Sequence, residues 1–315
     1  MRILFVTHLY LPRNICGSEI YLHQVIKFLQ SKGHECRVLL MPFNQAPLNH
    51  YEYDGVEVFP GKGQIDEYFN RADAVVAQLP TYSWYAVNIA LMKRKKAFHI
   101  THSGLDQKVV QIDYRPGEVG VIYNSETARQ VINHDQKSIV VHPPIRKFHV
   151  ENSEKNKHIT LINLSQNKGA PLFYEIAKRM PDRKFLAIKG TYGEQITSNL
   201  PNVTTLEPTT DIESVYRQTR ILLVPSEQES FSMCAGEAIA AGIPVICSGT
   251  PGLRENLGEA GIYAHLTEEY IQEIRRLDNK KSYLSRREIC LLRSSANSSR
   301  QISELDNFER FLHDG

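Results

Sequence analysis

The chain has 315 residues, 37 Lys and Arg against 35 Asp and Glu for a net charge of +2, and 42% hydrophobic residues. That length and apolar fraction suit two soluble domains of ordinary size, each with its own core. So slight an excess of positive charge makes no electrostatic case for nucleic acid, and no nucleic-acid partner is expected.

The N-terminus, MRILFVTHLY, has an apolar run too short for a signal peptide and no cleavage site, so it reads as a first strand, Ile3 to Thr7. The loop His8 to Ser18 follows, then a helix from Glu19 to Lys32. Its apolar residues Ile20, Val25, Ile26 and Leu29 recur near helical spacing, and Gly33 ends it. Cys36 to Met41 completes a strand–helix–strand opening, the start of a doubly wound α/β domain. Val56 to Phe59 is a short strand. The Gly61-Lys62-Gly63 after it lacks the third glycine of a dinucleotide fingerprint. Asp73 to Gln78 is the next strand, and Tyr82 to about Arg94 a helix ending in Lys93-Arg94-Lys95-Lys96. Cations are favoured at a helix C-terminus. The alternative is a patch that meets anionic lipid with Trp84 and Tyr85, a peripheral membrane contact. Ala97 to Thr101 is a strand that delivers His102. Gly120 to Tyr123 and Ile139 to Val141 are strands, with Asn124-Ser125-Glu126 capping the helix between them.

The polar segment 149–157 reads as a hinge. The expected division is an N-terminal domain over 1–148, a C-terminal domain over 149–299 and a C-terminal helix over 300–315. Strands are expected at Ile159–Leu164, Lys184–Ile188 and Asn202–Thr205, and helices at Phe173–Arg179 and Ile212–Gln218. Ile221 to Val224 is an apolar run suited to a buried parallel strand. Beyond Glu255 the pattern gives helices over 268–277, 283–292 and 302–312, with Ser294 to Arg300 as a polar linker. Ile302, Leu305, Phe308, Phe311 and Leu312 give the last helix one apolar face. No run of about 18 apolar residues exists to span a membrane. Five scattered cysteines with no C-x2-C pair suggest no zinc site. Cys36, Cys234 and Cys247 sit in apolar stretches, as buried thiols of a reducing, cytoplasmic compartment would.

The chemistry concentrates in Ile221–Glu255. After the strand, Pro225-Ser226 and Glu229-Ser230-Phe231-Ser232 lead into a small-residue helix, about Met233 to Ala241, and Ile243 to Cys247 is the next strand. Such a loop lies beyond the carboxyl end of a parallel strand, where α/β sheets bind ligands. A helix N-terminus offers N–H groups to a phosphate, here from Ser230, Phe231, Ser232 and Met233. The carboxylates of Glu229 and Glu237 can each accept from two hydroxyls, which suits a sugar or a ribose diol. The spacing of two glutamates alone carries little.

The run P-S-x-x-E-S-F-S-x4-E-A-x-A-x-G-x-P-V closely resembles the signature of the family-4 retaining glycosyltransferases, the E-x7-E enzymes of GT-B fold. The resemblance implies two Rossmann-like doubly wound domains facing across a cleft. It places Glu237 on the nucleotide ribose and Glu229 on the donor sugar. Ser232 stands where the family usually has glycine. The opening loop L-P-R-N-I-C-G-S-E resembles the family's G-G-x-E loop near the donor phosphates: Gly17 and Glu19 match, and Cys16 replaces the first glycine. T-H-S-G resembles the turn whose histidine faces the donor sugar, here His102, and Y-N-S-E the end of the first domain. Asn163 to Gly169 resembles R-x4-K-G, whose two cations hold the diphosphate; Lys168 matches, and Asn163 replaces the arginine.

The resemblance implies a hexosyltransferase-type enzyme of polysaccharide or related biosynthesis. It would move a sugar from a UDP- or GDP-sugar donor to a hydroxyl of a glycan, lipid-linked or small-molecule acceptor, with retention. His102, Lys168 and Glu229 would be its catalytic residues. No D-x-D motif occurs, so neither a metal nor another cofactor is expected. Two alternatives stand beside this reading: a nucleotide-sugar-binding protein without turnover, and an epimerase of the same fold, which would convert a nucleotide-sugar with no acceptor. The two domains are expected to close on the donor about the hinge.

Overall fold

The computed structural model describes residues 1–41, 49–62, 65–102, 114–131, 134–150 and 157–314. The chain divides into two compact units, Met1–Pro144 with Gln301–Gly315, and Ile145–Arg300. The second unit opens before residue 149 because Phe148 and Val150 are buried in its core. Most of the expected hinge, residues 151–156, lies outside the described residues, as do Gly63 and the Ser103-Gly104 half of the T-H-S-G turn.

In the first unit the strands are β1 (Arg2–Thr7), β2 (Glu35–Leu40), β3 (Tyr51–Tyr53), β4 (Val56–Pro60), β5 (Ala74–Gln78), β6 (Lys96–Thr101), β7 (Gly120–Tyr123) and β8 (Ser138–Val140). They form one sheet in the order β3-β4-β2-β1-β5-β6-β7-β8. All pairings are parallel except β3 with β4. That small hairpin turns on Asp54-Gly55, both at positive φ, and the Asp-Gly pair is its sequence signal. Strands such as Ile3–Val6 and Ala74–Ala77 are apolar throughout because both faces are covered. Helix α1 (Gly17–Ser31) buries Tyr21, Leu22, Val25, Ile26 and Leu29. A short α2 (Ile65–Arg71) and α3 (Pro80–Met92) follow, and α3 packs Ala86, Val87 and Ala90 on Leu4, Val75 and Ala97.

The second unit follows the same logic. After α4 (Glu126–Val131) at the end of the first unit, its strands are β9 (His158–Ile162), β10 (Lys184–Ile188), β11 (Val203–Leu206), β12 (Thr219–Val224), β13 (Val245–Cys247) and β14 (Gly261–Tyr263). Their order, β11-β10-β9-β12-β13-β14, reverses between β9 and β12, and every pairing is parallel. Alternation within β12 shows the double burial directly. Ile221 and Leu223 enter the core that holds α5 (Ala170–Arg179), whereas Leu222 and Val224 enter the opposite one. Helices α6 (Ile212–Tyr216), α7 (Met233–Ala240), α8 (Pro251–Leu257) and α9 (Thr267–Arg276) complete the unit. Both units are thus doubly wound α/β sheets, the first with one antiparallel edge strand.

The C-terminal region corrects the sequence expectation. In place of two helices and a linker, one helix, α10, runs from Lys280 to Asp314. The polar stretch Ser294–Arg300 is helical because its polarity is used against α8. Asn297 is buried and donates to the Asn256 carbonyl at 3.0 Å. Arg293 donates to the carbonyls of Asn256 at 2.9 Å and Glu255 at 2.5 Å. These bonds satisfy carbonyls at the end of α8 that have no partner within their own helix.

From Gln301 onward α10 belongs to the first unit. Phe311 meets Phe98 edge-on with ring centroids 5.6 Å apart. A Cβ on Gly120 would approach both rings to within 3 Å, so glycine is required there. Glu304 receives the backbone N–H of His142 at 2.9 Å and faces its Nδ1 at 2.8 Å. Lys32 pairs with Asp306 at 2.8 Å. Phe308 is 1% exposed. Removing its ring leaves a cavity costing about 3–5 kcal/mol, so Phe308→Ala is expected to lower the midpoint of thermal unfolding measured by calorimetry. An unchanged midpoint would show that this helix end does not hold the first unit together.

Candidate functional site

The site grows out of the strand order. At the point where a sheet's order reverses, the two central strands send their following loops to opposite faces and leave a crevice at the carboxyl edge. In the second unit those strands are β9 and β12, and their loops are Asn163–Gly169 and Pro225–Ser232.

Asn163 leaves β9 in the left-handed region, at φ 72, which asparagine tolerates better than most residues. Its Oδ1 accepts the Ser165 N–H at 3.1 Å. Gln195 fixes the turn from outside, its Oε1 taking the N–H groups of Leu164 at 2.9 Å and Gly190 at 2.7 Å. The residue that replaces the expected arginine therefore shapes a turn. A single 3-10 turn, Gln166–Lys168, ends at Gly169 with φ 83. A Cβ at Gly169 would sit 2.5 Å from the Pro225 carbonyl oxygen, so only glycine lets the two loops meet. The Glu227 N–H donates to the Asn167 carbonyl at 2.9 Å and joins them.

This closeness brings Lys168 Nζ to 2.7 Å from Glu229 Oε1. Ser226 Oγ donates to the same oxygen at 3.0 Å. The Glu229 side chain is 9% exposed and that of Lys168 28%, so the cation holds the open side of the pair.

Past Glu229 the chain lies on the first turn of α8. A Cβ on Gly252 would fall 2.3 Å from the Glu229 carbonyl oxygen and the Ser230 carbonyl carbon. Phe231 is buried. Asn256 Nδ2 donates to the carbonyls of Phe231 at 3.0 Å and Ser232 at 2.9 Å. Ser232, the residue before α7, has φ 69. That left-handed backbone is a physical reason for glycine at this position, and serine bears a modest strain in its place. Ser232 Oγ lies 3.4 Å from Cys234 Sγ, whose thiol burial pushes up to about 11. Met233 opens α7 with no side chain capping its N-terminus.

Glu237 follows within α7 and is 8% exposed. Tyr216 donates its hydroxyl to Oε2 at 2.8 Å. The Tyr216 ring stands edge-on to Phe148 at 5.2 Å, and the Arg146 guanidinium covers Phe148 at 4.7 Å. Burial pushes the Glu237 carboxyl up to about 7, against the opposing pull of the Tyr216 hydrogen bond and the Arg146 charge. Tyr216, Asn256 and Arg146 were not legible as site residues, since each acts through a partner distant in sequence.

Gly17 and His102 belong to the first unit. Gly17 opens α1, preceded by Cys16 in extended backbone. Glu19 in that first turn is fully buried, and burial pushes its carboxyl up to about 6. His102 follows β6 and stands edge-on to Tyr21 of α1, centroids 5.5 Å apart. Its Nε2 faces Gln78 Oε1 at 2.9 Å, and burial pushes its pKa down to about 4. A neutral imidazole in this arrangement donates from Nε2 to the amide oxygen.

Among the cations after α3, Lys93 pairs with Asp66 at 3.0 Å. Lys95 donates to the Asn70 carbonyl at 2.9 Å and Lys96 to that of Leu312 at 3.5 Å. These three are used to hold neighbouring elements together. Trp84, Tyr85 and Met92 are exposed. No helix among the described residues is long and apolar enough to cross a membrane.

Fold and site define a two-domain α/β protein of GT-B architecture, with a Lys–Glu pair and a buried glutamate at the switch point of its second sheet. Residues 156–279, less than half of the chain, match the family model described as glycosyl transferases group 1. A 57-residue stretch is 37% identical to the O-antigen chain mannosyltransferase B of Escherichia coli, covering 18% of this chain and 15% of that protein. Over the whole chain the fold is similar to sucrose-phosphate synthase from Thermosynechococcus elongatus, with a TM-score of 0.75, 15% identity and all of both chains covered. It is likewise similar to Anabaena HepE in complex with UDP and glucose, with a TM-score of 0.77, 16% identity and 99% of each chain covered. The structural matches show the GT-B fold over the whole chain, and the family match is confined to the second unit.

Proposed function

We propose that the protein is a retaining glycosyltransferase that moves a sugar from a nucleotide-sugar, a UDP- or GDP-sugar, to an acceptor hydroxyl on a glycan, lipid-linked or small-molecule substrate. The observation that carries the reading is the Lys168–Glu229 pair beside the N-terminus of α7, with Glu237 one helix turn further on. It lies in the segment that matches the group 1 glycosyltransferase model. In this reading Glu237 accepts from the ribose diol, Glu229 meets the donor sugar, and Lys168 with the N–H groups at the start of α7 holds the diphosphate. The bond between the anomeric carbon and the phosphate oxygen breaks, and the acceptor oxygen bonds to the same face of that carbon. The leaving phosphate takes the acceptor proton. Stabilising the charge on that phosphate is the protein's main contribution. His102, neutral at physiological pH, serves as a hydrogen-bonding group toward the sugar, with Gly17 near the phosphates.

Incubation with UDP-, GDP- and ADP-sugars and a panel of hydroxylated acceptors tests this. Transfer is expected from one of them, with the donor's anomeric configuration kept in the product and a rate unchanged by added magnesium or manganese. An inverted product would overturn the mechanism, and conversion of the nucleotide-sugar alone would make the protein an epimerase. A second reading, binding without turnover, is favoured by one observation: Asn163, at the expected arginine position, is taken up in a turn. Donor binding with no transfer to any acceptor would support it. Peripheral membrane contact through exposed Trp84, Tyr85 and Met92 would show as co-sedimentation with anionic vesicles that is lost in Trp84→Ala.

A further inference from the structure

In the first unit, away from the loops just described, His34, Glu309 and His313 gather their side chains between the start of β2 and the last turn of α10. One ligand atom from each lies within 4.8 Å of the others. We propose that these three residues bind a divalent transition metal of the zinc class, which fastens the end of α10 to the first sheet.

Four observations support it. Glu309 and His313 are four residues apart on one helix, so they project from the same face. His34 comes from a different element, so a shared ion would tie two parts of the fold. Its Nε2 already sits 3.0 Å from Glu309 Oε1, so two of the three ligands meet without rearrangement. The His34 and His313 ring centroids are 5.7 Å apart. Two imidazoles and a carboxylate suit Zn²⁺, with a water in the fourth position.

Bond lengths of about 2.0–2.2 Å require the three atoms to draw closer than 4.8 Å. His313 is exposed and its ring can rotate to do so. The ion enters as the proton between His34 and Glu309 leaves, one hydrogen bond giving way to metal bonds. The C-terminal end of a helix carries partial negative charge, which favours a cation. Of the nearby lysines, Lys96 is directed at the carbonyls of Leu312 and His313 and Lys32 at Asp306.

The test uses the full chain without a histidine tag, stripped with chelator and titrated with zinc chloride by calorimetry and by thermal unfolding. One zinc per chain is expected. At a hundredfold excess over the dissociation constant, a rise on the order of 5 °C is expected in the unfolding midpoint. His313→Ala, at an exposed position, should weaken binding by at least about tenfold and abolish the rise, and Glu309→Gln should do the same. The chain has 12 histidines, so His265→Ala, at an exposed histidine of the second unit, serves as the control and should bind as the parent does. Absence of a zinc-dependent rise in the parent, or an equal rise in His313→Ala, would overturn the proposal. Neither result bears on sugar transfer, which is tested separately.

Discussion

Lys168→Met is expected to lower turnover with the donor by roughly 10²–10³-fold, the loss seen when one donor to a developing oxyanion is removed. The free nucleoside, which has no phosphate, should bind almost as before. The geometry adds a complication that has to be separated. Lys168 Nζ is 2.7 Å from Glu229 Oε1, so its removal also strands a nearly buried carboxylate, to which the Ser226 hydroxyl still donates. Breaking such a pair from one side is destabilising in itself, because a charge is left without its partner. The double variant Lys168→Met/Glu229→Gln removes that charge, so its thermal midpoint should recover toward the parent's. Affinity for the nucleoside diphosphate should stay low in the double variant if the lysine serves the phosphate. If both stability and diphosphate affinity recover together, Lys168 acts only by neutralising Glu229.

Much of this architecture is legible in the chain. The apolar runs Ile3–Val6, Ala74–Ala77 and Ile221–Val224 read as strands buried on both faces, and Gly33, at φ 85, marks the end of α1. What escaped is of two kinds. Short elements such as β14 and α2 carry too few residues to show a period, and the β3–β4 hairpin announces itself only through Asp54-Gly55. Composition also misled: Ser294–Arg300 is as polar as a linker, yet its asparagine satisfies the end of α8. Polarity says that a segment needs hydrogen-bond partners, not where they are.

The same limit applies to the site. Glu229, Lys168 and Glu237 stand out because the residues around them resemble a family's motifs. Tyr216 and Asn256 do not, because their chemistry exists only once α6 and α8 are packed on α7. The two departures at Asn163 and Ser232 acquire a common meaning from the backbone, since both sit at positive φ. Asparagine answers that conformational demand, whereas serine bears a strain that glycine would avoid.

Glu237 sets the pH response. Burial holds its carboxyl at about 7 in the unliganded protein, and only the ionised form accepts from both hydroxyls of a ribose. Affinity for a nucleotide-sugar, whose diphosphate diester does not titrate in this range, should therefore rise about tenfold between pH 6 and pH 8, as the ionised fraction goes from roughly a tenth to nine tenths. Stability runs the other way. An unfolded glutamate ionises near 4.5. Between there and about 7 the folded protein keeps a proton that the unfolded chain has lost, so this group's contribution to stability falls as pH rises through that window. The difference amounts to about 3 kcal/mol at pH 8. Glu237→Gln keeps an oxygen for the Tyr216 hydroxyl and cannot ionise. It should unfold at a higher temperature than the parent at pH 8, bind the nucleotide-sugar roughly 10- to 150-fold more weakly, and lose the pH dependence of binding. Calorimetric titration and unfolding of both proteins at pH 6 and pH 8 check all three. A pH dependence that survives in Glu237→Gln would assign it to another group, and unchanged affinity in the folded variant would remove Glu237 from the ribose.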